Sequence, residues 1–296
     1  MTSPDPARGI RPTGYRLPEG TRVGPVRLRV RDLDRSVHFY AGILGLALVE
    51  RDDDTAALGA RGGTRPLVRL LARPGLAPAP PGGRFGLYHF ALLLPDRAAL
   101  GRFVAHLRRA RLRAGFADHA VSEAVYLQDP DNLGIEVYAD RPRAAWTWRD
   151  GELVMTTEPL DVDDLIAAAG GASWEGAPAG TTMGHVHLHV GDLDRADAFY
   201  RLALGFDKTV WSYPGALFFS AGGYHHHLGT NVWSRGPSAR EDEAGLVDWT
   251  LVVPTPEDAD GAAESLRAAG HPVARTPAGW RTADPWGTPL VITAEP

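Results

Sequence analysis

The side chains best able to do chemistry in this chain are histidines, and they cluster. "YHHHLG" (224–229) sets three in a row, and "GHVHLHV" (184–190) sets three at alternate positions. An internal run of this kind admits three readings: an affinity tag, a metal site, or an acid–base group. A tag sits at a terminus and runs longer, which argues against the first. The 296 residues include no cysteine, so a metal would have to be held by His, Asp and Glu, a donor set that suits iron, manganese or zinc. The flanks "LFFSAGG" and "TNVW" read as strand. Alternation then predicts His226 on one face and His225 and His227 on the other, as structural or substrate-lining residues or as an outer or subunit-facing decoration. By the same rule His187 and His189 project to the side of His185.

The elements that must position these side chains come from an internal repeat. "GPVRLRVRDLDRSVHFYAGILGLAL" from Gly24 and "GHVHLHVGDLDRADAFYRLALGFDK" from Gly184 align without a gap. Each reads as a strand, an Asp-capped turn, a short amphipathic helix ending in Phe-Tyr, and a Leu-Gly exit. "GLYHFALLLPDRAALGRFVAHLRRA" from Gly86 and "GLVDWTLVVPTPEDADGAAESLRAAG" from Gly245 form a second pair. These continue to "YLQDPDNLGIEVY" and "RTADPWGTPLVIT", whose "DPDN" and "DPWG" read as turns that need no chemistry. The expected fold is α+β: four βαβββ modules near 24–73, 84–140, 182–235 and 244–294, in two cupped mixed-sheet barrels. The expected domains are 1–145 and 182–296, with a linker at 146–181 holding one helix.

Bulk properties bound the class. The chain is 44% hydrophobic and 23% charged, a globular composition with no membrane-length apolar run. "MTSPDPARGI" has no apolar leader core, and a cytoplasmic location is expected. A net charge of −5 argues against non-specific nucleic-acid binding, and "HLRRARLR" (106–113) reads as the solvated face of a helix.

The strand-turn-helix repeats and "LQDPDNLGIEVY" resemble the vicinal oxygen chelate superfamily, which includes glyoxalases, bleomycin-binding proteins and type I extradiol dioxygenases. The resemblance covers nearly the whole chain. It implies paired modules that form a cup, with metal ligands on the first and last strands. At those positions the copies differ. His185 faces Pro25, His226 faces Pro66, His89 faces Asp248, and Glu136 faces Val291 across the repeat. Proline and valine side chains have no lone pair to offer. The resemblance therefore implies a working cup between modules two and three, with His89, Glu136 and His185 as ligands of Fe(II), or of Mn(II). Two histidines and one carboxylate leave open positions on the metal.

Similarity to the catechol 2,3-dioxygenase-like members implies a catechol-type substrate, dioxygen as co-substrate, and a homo-oligomer. It gives His226 an acid–base role. It also marks Tyr126, ten residues before Glu136, as an active-site tyrosine, and His119 upstream of it as a supporting histidine whose spacing is off by about two residues. The module pair differs from the commonest extradiol arrangement. Plainer readings stand beside these. His89 is a satisfied core histidine, Tyr126 is sheet packing, His226 is a polar strand face, and His187 or His189 replaces His185 or lines the cup. Rival functions are a glyoxalase-like isomerase or transferase, and a non-enzymatic antibiotic-binding protein.

Overall fold

A computed structural model describes residues 8–234 and 236–295. Residues 1–7, where the sequence shows no apolar leader core, lie outside the described residues. Among the described residues no helix is long and apolar enough to cross a membrane.

Each module runs strand, helix, three strands. The first has β1 (Arg22–Val30), α1 (Leu33–Gly42), β2 (Ala47–Arg51), β3 (Thr55–Gly59) and β4 (Pro66–Ala72). The second has β5 (Gly86–Leu93), α2 (Arg97–Arg109), β6 (Gly115–Asp118), β7 (Ser122–Gln128) and β8 (Gly134–Asp140). The segment between the sequence halves adds a small hairpin, β9 (Trp148–Arg149) and β10 (Glu152–Leu153), and α3 (Val162–Ala167). The third module has β11 (Thr182–His189), α4 (Leu193–Asp197, widening into a π turn over Ala198–Ala203), β12 (Asp207–Val210), β13 (Ala216–Ser220) and β14 (Leu228–Asn231). The fourth has β15 (Gly245–Val253), α5 (Pro256–Ala268), β16 (Ala274–Thr276), β17 (Gly279–Ala283) and β18 (Pro289–Ala294).

The helices start where the sequence supplies caps. Asp32, Asp96 and Asp192 each accept a hydrogen bond from the backbone N–H three residues on, and Thr255 forms a reciprocal box with Asp258. A cap of this kind contributes about 1 kcal/mol.

Two eight-stranded mixed sheets result. One runs β12-β13-β14-β11-β5-β8-β7-β6, the other β16-β17-β18-β15-β1-β4-β3-β2. Modules two and three meet along the antiparallel β5–β11 pair, and modules one and four along β1–β15. Each sequence half thus contributes one module to each sheet.

Two buried tyrosines stitch the sheets together. Tyr40 of α1 donates to Asp129 at 3.0 Å, and Tyr200 of the π turn donates to Asp284 at 2.9 Å. Both acceptors belong to the Asp-Pro turns, so these turns hold the modules in place as well as reversing the chain. Asp129 also accepts from the backbone N–H groups of Asp131 and Leu133.

Candidate metal centre

The two cups use matching positions differently. In the β1–β15 cup Arg27 stands opposite the buried Asp248 and forms an ion pair with it. In the β5–β11 cup the same register places His187 opposite His89. A buried carboxylate locked to an arginine is satisfied already; a cluster of buried imidazoles around one carboxylate is not.

That carboxylate is Glu136 on β8. Donor atoms of His89, Glu136 and His185 all lie within 4.8 Å of one another, and all three residues are buried. Glu136 Oε2 stands 3.0 Å from His89 Nε2 and 3.2 Å from His185 Nε2. The His89 contact is close without being aligned, and His89 Nε2 has no hydrogen-bond partner among the described residues. Burial outweighs the pull of Glu136 and holds both imidazoles below their ordinary range. Burial alone would push Glu136 up, but the two adjacent imidazoles outweigh it and hold the carboxyl well below its usual range. One carboxylate and two neutral imidazoles converging on a point is the protonation state a divalent cation requires, and the donor types suit iron or manganese.

Local geometry depends on glycine. A Cβ on Gly184 would lie 1.8 Å from the Tyr138 hydroxyl, so only glycine lets Tyr138 pack beneath β11. The β11 register shifts at this point, between Met183 and His185. Gly229 likewise leaves room for the His187 ring, 2.8 Å from where a Cβ would stand.

The cluster opens into a cavity of about 240 Å³ lined by His119, Tyr126, His187, Tyr213, Phe218 and His226, among others. On one side Tyr126 meets His119, with 2.7 Å between its hydroxyl and Nε2. His119 Nδ1 lies 2.6 Å from the Thr156 carbonyl, which can only accept. In the neutral ring Nδ1 therefore carries the proton, Nε2 accepts from Tyr126, and the phenol oxygen keeps its lone pairs for the cavity. Burial, then the charge of Glu136, holds the Tyr126 phenol well above its ordinary range, so it stays protonated.

On the other side His226 packs on His185, with ring centroids 4.1 Å apart. Burial, then the neighbouring His185 and His225 imidazoles, holds His226 well below the usual imidazole range.

The expected strand through 224–227 is corrected here. β13 ends at Ser220 and β14 starts at Leu228, and between them Gly222 and Gly223 take φ of 62° and 67°. Alternation does not apply across a turn, and none of the three histidines faces outward. His225 Nδ1 lies 2.6 Å from His226 Nδ1, and its Nε2 lies 2.9 Å from Asp140 Oδ1. His227 packs on Phe206 and Tyr224, and burial pushes it down to about 3. Asp140 is thus a neighbour of the site, through His225, that the sequence reading missed. Their contact spans 85 residues, and no local pattern announces it.

His185, not His187 or His189, joins His89 and Glu136 in the converging group. His187 lines the cavity with its ring 5.0 Å from His89 and its Nε2 unpartnered among the described residues. His189 bonds Asn231 at 2.6 Å and sits 4.7 Å from the Tyr88 ring.

A family model described as the Glyoxalase/Bleomycin resistance protein/Dioxygenase superfamily matches residues 22–137 and 182–287. The chain is 44% identical over 272 residues to a catechol-2,3-dioxygenase of Bacillus subtilis (strain 168), covering 90% of this chain and 95% of that protein. Among solved structures, a putative dioxygenase from Bacillus subtilis subsp. subtilis str. 168 superposes with a TM-score of 0.65 at 14% identity, over 95% of this chain and 87% of that one. Glyoxalase I from Zea mays superposes with a TM-score of 0.54 at 18% identity, over 92% of each chain. At these identities the two structures speak for the fold alone.

Proposed function

The chain belongs to the glyoxalase/bleomycin resistance protein/dioxygenase superfamily, and from that premise we propose that it is an extradiol ring-cleaving dioxygenase acting on a catechol-type substrate. The observation that carries this reading is the convergence of His89, Glu136 and His185 at a cavity, in a chain that closely resembles a protein named for this reaction. These three residues would hold Fe(II). A bound Fe(II) supplies a charge that favours the deprotonated diol and a redox centre through which diol and dioxygen exchange electrons.

The surrounding side chains handle position and protons. The Asp140 carboxylate can only accept, so His225 carries its proton on Nε2. In the neutral ring His225 Nδ1 is then bare and accepts from His226 Nδ1–H. His226 is left with a bare Nε2 beside the cluster, set to take a proton from the diol and return it later. A positioned base of this kind contributes about a hundred- to ten-thousand-fold in rate. Tyr126, its hydroxyl hydrogen committed to His119, offers its oxygen as acceptor to the substrate hydroxyl that keeps its proton. Phe218, Met155, Ala117 and Trp233 make the apolar part of the lining, which suits an aromatic ring.

Anaerobic loading with Fe(II), followed by a panel of catechols in air, tests the reading. Oxygen consumption with a yellow ring-opened product is expected. An isomerase of the same superfamily would turn over a thiol adduct without consuming oxygen.

A further inference from the structure

The metal cavity adjoins a second, larger space. A cleft of about 980 Å³ takes its walls from both sheets, and it shares Tyr88, His89, Tyr126 and Trp233 with the smaller cavity. Tyr88 and Trp233 pack edge to face, with centroids 5.7 Å apart, and both are partly exposed. They form the lip between the two spaces.

The cleft is cationic, although the chain as a whole carries a net charge of −5. Arg29, Arg73, Arg84, Arg113, Arg240 and Arg281 line it, against two glutamates. Some of this charge is spent. Arg84 makes two bonds to Glu243, Arg240 pairs with Asp242, and Arg281 approaches Asp248. The rest is not. Arg29 donates only to the backbone carbonyls of Glu243 and Arg240. Its guanidinium is held below the ordinary range by burial and then by the charge of Arg73. Arg73 and Arg113 have no carboxylate partner among the described residues. Unneutralised like charges in a concave surface favour an anion, because each gains from the same counter-charge. Guanidinium groups suit a carboxylate in particular, which they can bind through two parallel hydrogen bonds.

We propose that this cleft is a carboxylate-binding vestibule to the metal cavity. The identity of its ligand rests on the dioxygenase reading, and that chemistry supplies a carboxylate in two ways. An acidic arm on the ring of the incoming catechol would reach past Tyr88 and Trp233 toward Arg73 and Arg113. Alternatively, the reaction makes the anion. One diol combines with one dioxygen and no other reductant. The carbon–carbon bond beside the diol breaks, and both oxygen atoms stay in the product. One ring carbon ends as an aldehyde and the other as a carboxylic acid, which gives its proton to water. A neutral catechol would then enter through the vestibule and an anion would leave through it.

The test titrates the iron-loaded protein without oxygen, so that binding is read apart from turnover. The probes are 3,4-dihydroxyphenylacetate and its neutral counterpart 4-ethylcatechol. In a second arm, 2-hydroxymuconic semialdehyde made separately is titrated in the same way. At least one of the two carboxylates should bind the wild type about tenfold or more tightly than the Arg73→Gln/Arg113→Gln protein, with 4-ethylcatechol unchanged between them. A difference confined to the acidic catechol assigns the site to substrates, and one confined to the semialdehyde assigns it to product. If the double variant folds poorly, the wild type alone decides, because affinity for the carboxylates should fall with added salt while 4-ethylcatechol stays level. Carboxylate affinities indifferent to both the arginines and salt would overturn the proposal. Binding as expected without turnover in air would instead refute the dioxygenase reading and leave the vestibule standing.

Discussion

His225 Nδ1 and His226 Nδ1 stand 2.6 Å apart, so one of the two nitrogens must carry the hydrogen and the other must lack it. The Asp140 carboxylate on the far side of His225 decides which. The reactive nitrogen of His226 is thereby set by a residue that does not touch the cavity. His226→Ala should keep its metal and its fold and lose about a hundred- to ten-thousand-fold in kcat. Asp140→Asn, which removes the fixed acceptor, should lower kcat by about tenfold with little change in KM. Nitrogen NMR of the metal-free protein should show His226 leaving its Nδ1–H tautomer in that variant. Wild-type kcat in Asp140→Asn would remove the relay from the account.

The ligand set gives a second expectation. His89→Ala, Glu136→Ala and His185→Ala should each retain less than about a tenth of the wild-type metal, measured by elemental analysis after dialysis. His187→Ala should retain it, since His187 stands outside the converging group. Metal loss only in His187→Ala would move the ligand assignment along β11.

Tyr126 carries a third. Tyr126→Phe keeps the ring and removes the hydroxyl that bonds His119. Full metal content with about a tenfold fall in kcat/KM is expected. Activity equal to the wild type would return Tyr126 to simple sheet packing.

A fourth concerns stability and pH. Burial pushes the Asp129 carboxyl up to about 6 from an ordinary 3.8. The folded chain therefore holds that proton more tightly than the unfolded chain does. The resulting stabilisation is fully present below about pH 3.8 and is lost as pH rises through about 6. Asp129→Asn should flatten the dependence of unfolding free energy on pH across this window by about 3 kcal/mol, measured by urea titration against wild type. Parallel curves for the two proteins would contradict it.

The fold was legible because its repeat is written in local signals: Asp caps, Phe-Tyr helix ends and Asp-Pro turns recur at matched positions. The converging residues were legible by contrast, since His185 and Glu136 stand where the other copies hold Pro25 and Val291. What stayed hidden depends on chain reversals and distant contacts. Period-two alternation failed at 224–227 because Gly222 and Gly223 turn the chain, which sends His225 to Asp140. The cationic cleft was equally invisible. Its arginines come from distant parts of the chain, and Arg113 closes a basic run whose pattern reads as a solvated helix face.

The central claim is dioxygenation at the His89–Glu136–His185 centre, and the most direct measurement follows oxygen itself. Iron-loaded protein is given catechol under oxygen-18 gas, and the ring-opened product is trapped at once and weighed by mass spectrometry. Both labelled atoms should appear in one product molecule, with one dioxygen consumed per ring opened and no product from Glu136→Ala. Product carrying one labelled atom or none, or ring opening undiminished in Glu136→Ala, would contradict it.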